Sequence, residues 1–429
     1  MQDAPVVVIG AGVVGVACAL NLRRDGRDVL VLDPGGPGEG CSYGNAGSIS
    51  PDMVVPMSMP GMLAKVPGWL TDPLGPLAIA PRHAPRALPW LLRWIEAGRM
   101  SRVRQSSTAL RALHRPVFEL YRELLGDRYE GLLHGGGQLY VWRRTGATRS
   151  EMIADALRAA CGVRVEEIGV ERLRDMEPAL SPEYRRALFF PDNGRTSDPR
   201  GIVRTMAEAF QREGGAMRRC AATGFDTGAD GAVRAVRTAE GPVTCAAVVI
   251  AAGAHSGRVA RHLGLRLPLE AERGYHVMLP DPGIRLHHQI SNREVGFSVN
   301  VMADGLRFAG TVEIAGLDAP PVAARAEALV RNARNMFPGI RTEGHRTWFG
   351  FRPSTPDSVP VIGPAPGIRN AFLAFGHGHT GMTGAPMTGR LIADLVAGRA
   401  PAIDPAPYSA TRFGLAALLR GAPAQQAAA

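Results

Sequence analysis

Three stretches of the chain are almost wholly apolar. Residues 6 to 33, VVVIGAGVVGVACALNLRRDGRDVLVLD, read as a buried strand, a glycine turn, a helix of small residues and a second strand ending in an acid. Residues 248 to 256, VVIAAGAHS, read as a buried strand that returns to the same sheet. Residues 372 to 398, FLAFGHGHTGMTGAPMTGRLIADLVAG, read as strand, glycine loop and helix. Between them the period changes. Leu110, Leu113, Val117, Leu120 and Leu124 give residues 101 to 125 helical spacing, and 153 to 160 also read as helix. From Met217 to Val249 apolar and polar residues alternate, with turn signals at Thr227-Gly228 and Asp230-Gly231, which predicts an antiparallel meander. Alternation through Tyr275, Val277, Leu279, Leu306 and Phe308 predicts a second sheet over 273 to 314. Residues 34 to 50, PGGPGEGCSYGNAGSIS, are too long for a turn, so a functional loop is expected. The Met-, Pro- and Trp-rich residues 51 to 94 are expected to be irregular loops and short helices, and 421 to 429 a disordered tail.

The glycines of the first stretch have separate tasks. Gly10 allows a tight turn, Gly12 lets backbone amides approach a pyrophosphate, and Gly15 lets the helix pack against the strand. The helix N-terminus stabilises the anion, and Asp33 stands where a ribose 2′-hydroxyl would be accepted. A bound dinucleotide follows. Its apolar part, residues 6 to 22, is shorter than the ~20 apolar residues of a membrane span, and no positive charge precedes it, so it reads as core rather than as a leader.

Composition narrows the chemistry. With 45% apolar and 21% charged residues, a soluble globular protein is expected, and 429 residues allow two joined domains. The net charge of +10 is spread in ones and twos without a nucleic-acid-binding signature, so nucleic acid is not an expected partner. Lys65 is the one lysine among 49 basic residues, and it lies in a Met/Pro-rich stretch with no activating partner, which argues against Schiff-base chemistry. Cys18, Cys41, Cys161, Cys220 and Cys245 lack ligand spacing. Reduced thiols in a cytoplasmic protein, without a metal, are expected.

Eight segments then resemble one family in order along nearly the whole chain. They are the N-terminal fingerprint, SYGNAG (42 to 47), DPRGIVR (198 to 204), VVIAAGAHS, ERGYH (272 to 276), RFAGTVEIAG (307 to 316), GFRPSTPDSVPVIG (350 to 363) and GHGHTG (376 to 381). Together they resemble the D-amino-acid oxidase superfamily of FAD enzymes, and within it the bacterial D-amino acid and D-hydroxyproline dehydrogenases. The resemblance implies an α/β protein of two interleaved domains. A Rossmann-like FAD-binding domain would comprise 1–50, 190–265 and 345–420, and an antiparallel-sheet substrate domain 51–189 and 266–344.

It also implies the site. Gly10, Ala11, Gly12, Val14, Gly15, Asp33 and Pro34 would hold the ADP end of FAD. Ser42, Asn45, Ala46, Gly47, Ser48, Ala251, Gly253, Gly376, His377, Gly378 and Gly381 would hold the rest. Glycine loops offer amides without side-chain obstruction, and those of Gly378 to Gly381 would face the charge that develops on a reduced flavin. Arg352 occupies the position of the family's substrate-carboxylate arginine, and its planar fork suits that ion. Tyr275 would bond the same carboxylate. His377 and His379 flank the flavin loop, but hydride can pass from Cα of a neutral amine to flavin N5 without a base side chain. Gly44 and Asn45 stand where relatives with covalent flavin carry histidine, and no cysteine follows Cys245. Non-covalent FAD is expected.

The expected reaction is oxidative deamination of a D-amino or cyclic D-imino acid, the imine hydrolysing in water. The alternatives are a sarcosine or glycine oxidase and an FAD-bearing subunit of a heteromeric dehydrogenase. The electron acceptor is left between quinone, a partner protein and oxygen, and the location between cytoplasm and the inner face of the membrane. Met53, Met57, Met59, Met62, Trp69, Trp90 and Trp94 suit either a pocket cover or a membrane contact.

Overall fold

The computed structural model describes residues 4–62, 75 and 77–414. Lys65, Trp69 and the tail from Gly421 lie outside the described residues.

Two sheets organise the chain. The first runs in the order Val361–Pro364, Ala371–Phe375, Ala247–Ile250, Val6–Ile9, Val29–Leu32, Ala216–Arg218. All its pairs are parallel except the outermost, Val361–Pro364 on Ala371–Phe375. Its central strands are buried on both faces, which is why they read as unbroken apolar runs. Strand alternation divides them. Val6, Val8, Val29 and Val31 pack with the helices Val13–Arg24 and Gly381–Ala397. Val7, Ile9, Leu30 and Leu32 pack against Phe225, Val233 and Val236 of a three-stranded antiparallel meander. The two helices pack closely because a Cβ on Gly389 would lie 2.5 Å from the Ala17 carbonyl oxygen.

The second sheet follows the path Arg346–Ser354, Glu270–Leu279, Gly305–Ile314, Phe297–Met302, Gln289–Asn292, Gln138–Trp142, Arg186–Phe190, Glu166–Ile168. The helix Ala323–Met336 covers part of it through Ala326, Leu329, Val330 and Ala333.

Several sequence expectations need correction. Met217 belongs to a parallel strand beside Val31, so the meander begins only at Ala222. The helical stretch 101 to 125 is two helices, Met100–His114 and Val117–Leu125, broken at Arg115-Pro116, because proline cannot supply an interior amide. Within 51 to 94 begins a full helix, Ala84–Ala97, whose Pro89 obscured its pattern. The strands Gln138–Trp142, Glu166–Ile168 and Arg186–Phe190 went unread, because each is three to five residues long and lacks a clear alternation.

No helix among the described residues is long and apolar enough to cross a membrane.

Candidate active site

A cavity of about 1430 Å³ extends between the two sheets. Its nucleotide end is built by the fingerprint. Gly10 has φ +115°, and a Cβ there would sit 2.5 Å from the Ala251 carbonyl oxygen, so only glycine fits. A Cβ on Gly15 would fall 1.9 Å from the Gly10 carbonyl oxygen, which sets helix and strand in contact. At Gly12 the one neighbour is Ser42 Oγ at 3.6 Å, leaving room for a ligand. The helix that starts at Val13 has no side-chain cap at Gly12; instead Val13 N–H donates to Ser42 Oγ at 3.0 Å.

Asp33 is not a free carboxylate. Its Oδ2 accepts from Ala11 N–H and its Oδ1 from Gly35 N–H, both at 2.7 Å. It therefore braces the two loops that border the nucleotide end as well as facing the cavity.

The SYGNAG loop is held from the second sheet. Buried Arg307 donates to the carbonyl oxygens of Tyr43 at 2.8 Å and Asn45 at 2.7 Å, and Asn300 Nδ2 donates to Ala46 at 3.0 Å. Gly44 leaves space for the ring of Trp348, which stacks on His276 with centroids 5.0 Å apart. Burial, with Arg307 nearby, pushes the His276 imidazole down to about 3, so it is a neutral packing group.

At the other end lies Arg352. Strand Glu270–Leu279 meets Gly305–Ile314 with a bulge: Arg273 pairs with Glu313 and Tyr275 with Gly310, leaving Thr311 and Val312 opposite Gly274. Thr311 has φ +58°, an uncommon and strained conformation for a β-branched residue. Its carbonyl accepts from Arg352 Nη1 at 2.9 Å. A Cβ on Gly274 would lie 2.2 to 2.4 Å from the guanidinium, so the fork lies directly over this glycine. Among the described residues Thr311 is the one hydrogen-bond partner of Arg352, while Glu272 stands directly across the strand pair from it. Burial works against the Arg352 charge, and Cys41 and Glu272 favour it.

Of the residues named from sequence, Gly15, Gly47 and Gly376 stand behind the cavity wall; the others, Arg352 and Tyr275 included, line it. Three are placed in unexpected ways. Tyr275 donates its hydroxyl to Glu313 at 2.6 Å and accepts from Val322 N–H at 2.8 Å, so a further bond to a carboxylate would require this network to open. His377 is bonded to Thr388 Oγ1 at 2.8 Å, and burial, reinforced by His114, pushes its imidazole down to about 3. The Gly378 amide is donated to the Pro353 carbonyl at 2.7 Å. Helix Gly381–Ala397 also has no side-chain cap, and its first residues, Gly381 and Met382, line the cavity, so its free first-turn amides are the donors left at this end. Sequence reasoning missed Glu272, Arg307, Thr311 and Trp348, since the alternation of their strands does not say which face meets a ligand.

These features fit FAD. A glycine cradle, an uncapped helix at each of two places in the wall and a cavity of about 1430 Å³ match its anionic and ring ends.

Comparison with known proteins agrees. Residues 5–395 match the family described as DAO, FAD dependent oxidoreductase. The chain is 41% identical over 416 residues to a D-amino-acid oxidase of Bradyrhizobium diazoefficiens, covering 95% of this chain and 98% of that one. It is 32% identical over 436 residues to D-amino acid dehydrogenase 2 of Ralstonia nicotianae, covering 95% and 100%. Among solved structures, L-proline dehydrogenase from P. horikoshii superposes with a TM-score of 0.74 at 19% identity, covering 97% and 99%, and shares the fold. This chain belongs to the DAO family of FAD-dependent oxidoreductases.

Proposed function

We propose that the protein oxidises the Cα–N bond of a D-amino acid or cyclic D-imino acid, with Arg352 holding the substrate carboxylate. The observation that carries this reading is the seat of Arg352. A bulge, a strained Thr311 and a bare Gly274 together fix one guanidinium in the cavity wall. A planar fork in a desolvated wall suits a carboxylate, and holding that group orients Cα and nitrogen. The D configuration rests on the relatives at 41% and 32% identity, whose names carry it. The chemistry FAD would supply when bound is acceptance of the hydride from Cα. Gly10, Gly12 and the first turn of the helix from Val13 would hold its pyrophosphate, Asp33 its ribose, and the first turn from Gly381 its ring. No histidine or cysteine stands where the family anchors flavin covalently, so acid should release all of it as FAD. In this reading the strands Val6–Ile9, Val29–Leu32, Ala247–Ile250 and Ala371–Phe375 form the cofactor domain and the long second sheet the substrate domain, which moves strand Arg346–Ser354 out of the 345–420 segment expected for the cofactor domain, since it pairs with Glu270–Leu279.

The acceptor in this reading is a membrane-borne quinone. Helix Ala84–Ala97 buries Ala87 and Trp90, yet exposes Leu88 (52%), Leu92 (58%) and Ile95 (39%) beside Met57 (49%) at the cavity wall. Arg82, Arg86 and Arg99, on or beside this helix, are exposed against one exposed acid, Glu96, a net basic balance that suits an anionic surface. The lone purified chain, given D- and L-amino acids, D-hydroxyproline or sarcosine, should turn over only D substrates. Turnover should be faster with quinone-bearing anionic vesicles than with oxygen, and the chain should sediment with them. Turnover of L-amino acids or of sarcosine alone would refute the substrate assignment; a chain that stays in the supernatant while reducing oxygen equally fast would refute the acceptor.

A further inference from the structure

The residues around Arg352 include a second polar arrangement that binding of a carboxylate does not require. His379 Nε2 lies 3.1 Å from Glu272 Oε2, in the loop that leads into the helix from Gly381. Glu272 is buried and pairs across the strands with Arg352, so the histidine, the carboxylate and the arginine share one wall of the cavity. A carboxylate beside Nε2 accepts a hydrogen bond from Nε2–H and so fixes the proton on that nitrogen. The lone pair is then on Nδ1, which makes no hydrogen bond among the described residues, on a side chain one-third exposed in the cavity wall.

We propose that His379, oriented by Glu272, accepts the ammonium proton of the substrate whose carboxylate Arg352 holds. This rests on the reading of Arg352 given above. The step is a proton transfer: one N–H bond of the ammonium breaks, an Nδ1–H bond forms, and the nitrogen keeps its electron pair. The product is a neutral amine, the form from which hydride can leave Cα, and an imidazolium paired with Glu272. The exposed edge of the ring returns the proton to water.

The neighbouring charges do not compete for His379. On strand Glu270–Leu279, Glu270 is bonded to His83 at 3.1 Å, Arg273 to Glu313 at 3.2 Å and His276 to the Gly44 carbonyl, leaving Glu272 for His379. On strand Arg346–Ser354, Arg346 pairs with Asp304 at 2.7 Å and Arg352 with the Thr311 carbonyl. His377 turns to Thr388, and the helix from Gly381 has no acid in its first turn. Burial opposes the Glu272 charge, but His379, Arg352 and Ser354 outweigh it and hold that carboxyl below the usual range, so it stays an anion.

The test compares the native holoenzyme with His379→Asn, His379→Ala and Glu272→Gln across pH, with a D-amino acid as substrate. At neutral pH, where the substrate is an ammonium ion, His379→Asn should lose about 10²–10⁴-fold in kcat/KM, the usual contribution of a positioned base. Above the ammonium pKa the variant should converge on the native rate, because the substrate arrives already neutral. Added imidazole should partly restore His379→Ala. A pH-independent loss, or no loss, overturns the proposal. A second readout needs no turnover: the ring-nitrogen NMR shifts of His379 should show a protonated Nε2 and a bare Nδ1 in the native protein, with the balance moving toward Nδ1–H in Glu272→Gln. An Nδ1–H tautomer in the native protein overturns it too. If no D-amino acid is oxidised at all, the reading of Arg352 fails while the NMR result still decides the pair.

Discussion

Replacing Arg352 with alanine is expected to lower kcat/KM for a D-amino acid by about 2–5 kcal/mol, roughly 30- to 5000-fold, the cost of removing a charged partner in a desolvated site. FAD content should not change, since Arg352 belongs to the second sheet and not to the fingerprint wall. Arg352→Lys keeps the charge but loses the fork, so its loss should be smaller but real. The corresponding amine without a carboxylate should be a poor substrate of the native enzyme and be harmed little further. Steady-state kinetics on both substrates decides the matter: equal losses for acid and amine would make Arg352 a structural residue. Gly274→Ala should imitate the alanine variant in part, because the added methyl would occupy the place of the guanidinium.

Asp33→Ala is expected to weaken FAD by about 1.5–3 kcal/mol, tenfold or more in affinity, the range for hydrogen bonds to a charged group. The free protein should also lose stability. The same carboxylate holds the Ala11 and Gly35 amides at 2.7 Å, and its removal leaves both without that partner. Flavin retention on dialysis and the melting temperature of the flavin-free protein separate the two effects. Unchanged retention would show that Asp33 serves the loops alone.

The parts of this fold that were legible in the sequence are those where one requirement acts on every residue. Strands buried on both faces must be apolar throughout, so Val6–Ile9 and Ala247–Ile250 stood out, and backbone contact at Gly10 and Gly15 admits no side chain. The meander was legible by its alternation and its turn at Asp230-Gly231, where Gly231 has φ +75°. What the sequence did not reveal depends on register between distant strands. Thr311 looks like any strand threonine until the bulge opposite Gly274 turns its carbonyl toward Arg352. Glu272 reads as one more charge on an alternating strand until cross-strand pairing sets it beside Arg352 and His379. Tyr275 shows the converse: the resemblance made it a partner of the substrate carboxylate, but its hydroxyl is committed to Glu313 and Val322.

The central claim, that this FAD-dependent oxidoreductase takes hydride from a D-amino acid held at Arg352, has one direct test. The yellow holoprotein is mixed with a single D-amino acid in the absence of oxygen and of any added acceptor, and the flavin absorbance is followed. One equivalent of the D-amino acid should bleach it and release one equivalent of 2-oxo acid, while the L-enantiomer and Arg352→Ala at the same concentration leave it yellow over the same time. Equal bleaching by both enantiomers, or bleaching by neither, would contradict the account.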